Sequence, residues 1–189
     1  MEVVVGDLED NTRDTFSLIT ETLYKTQGRN KRESDFENLI CHFNSHPIYR
    51  FLNNDSDGKK QFQCLPIIKK ATALLDHYGY SDIDTRCMII EFHRKNYLSF
   101  GEKRPLKDMV WHRDDITVAP YRVYTVIFYL RKDITVRGGG FLYKTGKEEK
   151  KINIYAGDYV IFPGNLLHSP EPSYGFGCRD SIVVFIKRK

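Results

Sequence analysis

Arg122-Val123-Tyr124-Thr125-Val126-Ile127-Phe128-Tyr129-Leu130 is the stretch that decides the fold class of this 189-residue chain. β-Branched and aromatic side chains fill it, and these fit a pleated surface better than a helix. Such a run belongs deep in a sheet. Working outward, Cys87–Phe92 is a tight apolar run before it. Phe141–Tyr143, Ile152–Tyr155, Tyr159–Phe162 and Ser181–Ile186 follow it, separated by Gly-, Lys- or Pro-bearing turns. From about residue 86 onward the chain therefore reads as strand.

The first third reads mainly as helix. After a short Val3–Val5 strand, Phe16, Ile19 and Leu23 recur at helical spacing. Gly28–Arg32 is a polar break, and Ser34 with Glu37 has the spacing of a capping box. Behind that box, Phe36, Leu39, Ile40 and Phe43 form one apolar stripe, which predicts a second helix. Asn53–Lys60 reads as a turn-rich loop. Pro66 then opens a helix with Ile67, Ala71, Leu74, Leu75 and Tyr78 on one face, and Gly79 is its stop. Helices first and many short strands afterwards predict an α+β domain, a β-sandwich or open barrel buttressed by helices. No repeat, low-complexity segment or linker divides it. The expectation is a single domain over 1–189, with 1–85 as mainly helical support and 86–189 as the core.

Composition bounds the function classes. A hydrophobic fraction of 41% with 29% charged residues describes a soluble globular chain, and 12 Tyr and 12 Phe suit a β-rich core with a lined pocket. No apolar run reaches the ~18 residues that span a bilayer. The beginning, Met1-Glu2-Val3-Val4-Val5, has neither the basic region nor the long apolar stretch of a signal peptide. Cys41, Cys64, Cys87 and Cys178 are scattered and form no Cys-x-x-Cys pair, which points to reduced thiols rather than a zinc knuckle or disulfide framework. An intracellular protein, cytoplasmic or nuclear, with no membrane partner is expected. The net charge of +4 is a mild bias, and the basic clusters at Arg29–Arg32, Lys103–Lys107, Lys147–Lys151 and Lys187–Lys189 read as solvated loops and ends.

Six histidines are candidates for chemistry. His42 and His46 lack an acidic partner that would complete a metalloprotease pattern, and they read as surface or capping residues. His77 suits a helix end. His93 ends a predicted strand and reads as structural. His112 is different, because Asp114 lies two residues on and a strand would turn both to one face. One imidazole and one carboxylate are two of the three ligands of a facial triad, which leaves open positions on non-haem Fe(II).

His168 is the candidate third ligand. It follows Gly157-Asp158-Tyr159-Val160-Ile161-Phe162-Pro163-Gly164, a turn, a buried strand and a break. Its distance from His112 leaves room for a hairpin that returns the next strand beside the first. Arg179 and Ser181 alternate onto one face of the last strand. An arginine inside an apolar barrel requires an anion, because an unpaired buried charge is costly. Asp158 is one possible partner, and a dicarboxylate cosubstrate held by the guanidinium fork is the other.

His112-x-Asp114, His168 and Arg179-x-Ser181 together resemble the signature of the Fe(II)/2-oxoglutarate-dependent dioxygenases. The likeness spans about 86–187. Arg122–Asp133 followed by Gly138-Gly139-Gly140-Phe141-Leu142-Tyr143 is similar to the strand, loop and Gly-Gly strand of prolyl hydroxylases, and Gly157–Pro163 resembles the strand before their second histidine. The resemblance implies a double-stranded β-helix (jelly-roll) core with helices on one sheet. It implies that His112, Asp114 and His168 bind Fe(II), with no catalytic residue beyond these ligands. Arg179 would pair with the far carboxylate of 2-oxoglutarate, Ser181 would add a hydrogen bond, and Tyr129 would contact the same cosubstrate. With O₂ as the second cosubstrate, the reaction would hydroxylate a C–H bond and release succinate and CO₂.

Two substrate classes compete. The Gly-Gly strand and the Thr125-x-x-x-Tyr129-Leu130 pattern favour a prolyl-hydroxylase-like enzyme acting on a peptide or protein. Trp111-His112-Arg113-Asp114-Asp115 resembles the local sequence of AlkB-type nucleic-acid demethylases, but the second arginine of that family would fall at Phe185. A peptide or protein substrate is therefore preferred to nucleic acid, with Asp115 left without a role. A non-catalytic or cupin-type jelly roll is the remoter alternative, and it has no need of Arg179-x-Ser181.

Overall fold

A computed structural model describes residues 3–27, 39–43, 46–54, 65–80, 82–99, 111–117 and 123–189. Its centre is one long strand. The fold-deciding run forms β5 (Val123–Lys132), whose neighbours are β9 (Asp158–Pro163) and β11 (Ser173–Arg188). β11 in turn pairs with β4 (Ile83–Ser99), which pairs with β3 (His46–Asn54) and through it reaches β2 (Leu39–Phe43). β1 (Val4–Asp7) adds the other edge beside β9, and β6 (Arg137–Gly138) pairs with the start of β11. Each of these pairings is antiparallel. A second, three-stranded sheet consists of β10 (His168–Pro170), β7 (Phe141–Thr145) and β8 (Glu148–Ile152) in that order.

Alternation gives the large sheet two working faces. On one face Met88, Ile90, Phe92, Tyr124, Val126, Phe128, Ile182, Val184 and Ile186 are buried against the helices. α1 (Asp10–Gln27) contributes Phe16, which meets Phe128 edge-to-face with ring centroids 5.2 Å apart. α2 (Leu65–His77) contributes Ile67, Ala71, Leu74 and Leu75. Burying a side chain of this size stabilises by about 1.5–3 kcal/mol before chain entropy is counted. Gly79 takes φ 80°, and the Tyr80 amide returns to the Leu75 carbonyl, closing α2 as its sequence predicts. The opposite face carries Ile89, Val123, Val183 and Phe185 towards the small sheet.

Three local expectations are corrected. Leu39–Phe43 is strand β2, not part of a second helix, while the capping-box segment 34–38 lies outside the described residues. Five residues with Leu39, Cys41 and Phe43 alternating satisfy a strand as readily as the 3.6 period, and pairing with β3 decides for the strand. The hairpin strand before β9 is Glu148–Ile152, one turn earlier than the Ile152–Tyr155 run, because the Gly146 turn fixes its register with β7. Asp114 opens a short helix, α3 (Asp114–Thr117), so strand alternation is not what brings it to His112. Among the described residues no helix is long and apolar enough to cross a membrane.

Candidate active site

Backbone pairing places the two histidines. The His112 amide donates to the His168 carbonyl at 2.9 Å and the His168 amide donates back at 3.0 Å, an isolated antiparallel bridge beside β10. Their rings lie 4.3 Å apart. Just beyond the bridge the chain turns into α3, which swings Asp114 beneath both rings. Asp114 Oδ1 is 3.5 Å from His112 Nε2 and 3.6 Å from His168 Nε2. One ligand atom from each of the three residues lies within 4.8 Å of the others. Asp114 is buried, and Thr125 Oγ1 donates to its Oδ2 at 2.6 Å, leaving Oδ1 to face the imidazoles.

These three residues suit an Fe(II)-type ion. Burial pushes the His168 imidazole below its usual range; Asp114 opposes the fall and His112 adds to it. A neutral imidazole is the metal-binding form. His168 Nδ1 lies 3.0 Å from the Leu166 carbonyl, and a proton on Nδ1 leaves Nε2 free as the ligand.

The floor of the chamber is a grid of three strands. Tyr129, Ser181 and His93 form one row across β5, β11 and β4; Ile127, Val183 and Glu91 form the next; Thr125, Phe185 and Ile89 form the third. Phe141, Pro170 and the histidines close it from the small sheet. The chamber is partly open and offers a volume of about 170 Å³.

Arg179 enters the chamber next to Tyr129, whose ring centroid is 5.1 Å from the guanidinium carbon. It is 6% exposed, and its Nε is buried without a hydrogen-bond partner. Asp158 does not neutralise it, for that carboxylate instead accepts the Tyr155 amide at 2.7 Å. A buried guanidinium with an unpartnered donor, on a residue that lines a chamber, is the complement of a carboxylate. The residues therefore fit a small dicarboxylate as well as a metal. Burial raises the Tyr129 phenol, and Arg179 opposes that rise.

All six sequence-predicted site residues, His112, Asp114, His168, Arg179, Ser181 and Tyr129, line the same chamber. Asp115 is outside it. Its amide donates to the Gly164 carbonyl at 3.3 Å, and its buried Oδ1 has no partner. His93 lies within β4, not at its end, and joins the chamber with Glu91. The next residue, Arg94, forks onto Asp180 at 2.8 and 2.9 Å and reaches Glu21 of α1. Sequence reading gave Thr125 no part beside the metal-site carboxylate and passed over Glu91. The signal for Glu91 was a charge inside an otherwise apolar run.

No family model matches the sequence, and no curated protein is similar to it. Likeness lies in the fold, which is that of prolyl hydroxylases and other Fe(II)/2-oxoglutarate oxygenases. A prolyl-4-hydroxylase from Pseudomonas putida superposes with a TM-score of 0.58 at 13% identity, covering 99% of this chain and 92% of its own. A 2OG-Fe(II) oxygenase family oxidoreductase from Burkholderia pseudomallei gives 0.53 at 17% identity, over 89% and 78%. A prolyl hydroxylase from Trichoplax adhaerens, in complex with a peptide fragment of the hypoxia inducible factor oxygen degradation domain, gives 0.54 at 12% identity, over 98% and 83%.

Proposed function

We propose that this protein is an Fe(II)- and 2-oxoglutarate-dependent dioxygenase with a double-stranded β-helix core, hydroxylating a C–H bond on a peptide or protein side chain. The observation that carries the reading is the unpartnered Nε of buried Arg179 in the same chamber as the His112–Asp114–His168 cluster. A metal site alone has many uses. A metal site facing a buried arginine is built for a ligand with an anionic tail.

Each residue then has a defined task. His112, Asp114 and His168 hold the metal on one side, and Thr125 fixes the oxygen that Asp114 presents. Arg179 binds the far carboxylate of 2-oxoglutarate, with Ser181 and Tyr129 supplying hydroxyls beside it. Ile127, Val183, Phe185 and Phe141 exclude water from the chamber. When bound, Fe(II) and 2-oxoglutarate supply O₂ activation, with succinate and CO₂ as co-products.

A peptide substrate is supported by the Trichoplax adhaerens fold relative, which was solved with one. Asp115, the acid that the nucleic-acid reading would use, does not line the chamber. The test is 2-oxoglutarate turnover against proline-bearing peptides and methylated oligonucleotides. Succinate formation that requires iron and is lost in His112→Ala is expected. Turnover that survives that substitution would overturn the ligand assignment.

A further inference from the structure

Behind Arg179 the protein presents backbone rather than side chain. Gly138 and Gly139 take φ 69° and 73°, and a Cβ on Gly139 would lie 3.4 Å from Arg179 Nη1 and 3.5 Å from its Cζ. The guanidinium therefore rests against bare main chain. Whatever holds that main chain decides how far Arg179 can retreat from the metal cluster.

The glycine segment is fastened to the connection between β10 and β11. Pro170 pairs with Phe141 at the end of β10, and Ser173 pairs with Gly138 at the start of β11. Between those pairs the Glu171 amide donates to the Gly140 carbonyl at 2.8 Å, and the Gly139 amide donates to the Pro172 carbonyl at 3.1 Å. The Gly140 amide finds its acceptor in a side chain, Glu171 Oε2, at 2.9 Å. Glu171 thus grips Gly140 twice, by main chain and by carboxylate. Its other oxygen, Oε1, accepts from Lys151 Nζ of β8. Burial works to raise the Glu171 carboxyl, but Lys151 and the Gly140 amide hold it below its usual range. One carboxylate ties three pieces of chain together.

The same pairing runs unbroken from His168, opposite Tyr143, to Ser173, opposite Gly138. One end carries a metal-site residue and the other backs the anchor, so this zipper sets the span between them. Glu171 stands where a side chain must stand in for the missing main-chain acceptor, and a charged acceptor makes the stronger bond. Gly140 has no room to fasten itself, because a Cβ there would lie 2.6 Å from the Ile152 carbonyl oxygen. Glu171 itself does not line the chamber.

We propose that Glu171 is a positioning residue: by fastening Gly140 it keeps the Gly139 wall from yielding behind Arg179, and so sets the length of the 2-oxo diacid that spans from the metal cluster to the arginine. This rests on the dioxygenase reading and adds how the site tells its cosubstrate from a longer homologue. A diacid with one more methylene needs the guanidinium to move back into the place that Gly139 holds.

Calorimetric titration of the full-length protein loaded with Mn(II) tests this without turnover. The probes are 2-oxoglutarate and 2-oxoadipate, which is one methylene longer. In the unaltered protein 2-oxoglutarate is expected to bind about ten- to hundredfold more tightly, the range of one well-placed charge-assisted hydrogen bond. Glu171→Ala should weaken 2-oxoglutarate about tenfold and leave 2-oxoadipate little changed, drawing the ratio towards one while Mn(II) affinity holds. Glu171→Gln keeps an oxygen for the Gly140 amide and should restore most of the ratio. A merely structural role would lower the melting temperature and weaken both diacids alike. Equal weakening, an unchanged ratio, a Gln variant as defective as Ala, or equal binding of the two diacids by the unaltered protein would therefore overturn the proposal. If Glu171→Ala does not fold, Lys151→Met decides, since it removes the half-exposed cation that steadies the carboxylate. It should lower the ratio about two- to threefold, and no change would overturn the proposal. Failure of 2-oxoglutarate to bind the unaltered Mn(II)-loaded protein would instead overturn the dioxygenase reading itself.

Discussion

Thr125 Oγ1 donates a 2.6 Å hydrogen bond to Asp114 Oδ2, tying the metal-site carboxylate on α3 to the inner face of β5. Thr125 is completely buried, so no solvent replaces that donor. Thr125→Val keeps the shape and removes the hydroxyl. Mn(II) affinity, measured by calorimetry, is expected to fall about 10–100-fold, the usual effect of losing a group that orients a ligand. Unchanged affinity would show that Asp114 is placed by α3 alone.

Arg179 and the metal ligands make separable contributions to binding. In Arg179→Met the thermal shift produced by 2-oxoglutarate in the presence of Mn(II) should disappear, while the shift produced by Mn(II) alone persists. Ligands that bind only the native state must raise its melting temperature, so the two shifts report the two sub-sites. His112→Ala should lose both. A 2-oxoglutarate shift that survives in Arg179→Met would place the far carboxylate elsewhere.

Gly139 explains why the chain runs so close behind the anchor. It has φ 73°, and a Cβ there would lie 3.0 Å from Ser173 Oγ and 3.4 Å from Arg179 Nη1. Gly139→Ala should lower the melting temperature by about 2–8 °C, from a left-handed backbone cost of ~1–2 kcal/mol. It should also weaken 2-oxoglutarate binding. Gly146→Ala is the control, having φ 64° with nothing within 4 Å. It should show the backbone cost without the binding defect.

Alkaline stability should follow the buried phenols. Burial pushes the Tyr124 hydroxyl up to about 12, and its hydrogen bond to Asp82 adds to the rise. Tyr80, Tyr129 and Tyr159 are also raised, chiefly by burial. A phenol raised in the folded state holds its proton more tightly there than when unfolded. Its contribution is therefore complete below pH ~10 and is lost as pH rises through about 12. Tyrosinate absorbance should show an early class near pH ~10 and a late class that appears together with loss of the circular dichroism of the fold. A single early class with the fold intact would contradict this placement.

Much of the large sheet was legible because buried strands announce themselves through β-branched and aromatic runs. Val123–Lys132 and Asp158–Pro163 match their sequence readings within two residues. The gathering of His112, Asp114, His168 and Arg179 was legible as a set of residue types, since few other arrangements need all four. Their local geometry was not. A sequence cannot distinguish Asp114 on a strand from Asp114 opening a turn of helix, because the bridge between His112 and His168 that forces the turn is a contact across 56 residues (168 − 112). The same limit hid β2, whose strand character comes from pairing with β3. The Asp114 contact of Thr125 and the place of Glu91 escaped notice for another reason. Inside long apolar runs each residue passes for a tolerated exception, and only the folded chain shows that both line the chamber of the metal-site residues.

β11 carries Arg179, Ser181, Val183 and Phe185 and is also the strand to which β4, β5 and β6 all bind. The scaffold and the recognition surface are thus one piece of chain. Amides at its centre should exchange with solvent only through global opening, and occupancy of the chamber should slow that exchange across the whole sheet. Such an anchor cannot loosen without the domain loosening with it. Passage of small molecules must therefore depend on the rim of the chamber, leaving the floor as the fixed reference against which every ligand is aligned.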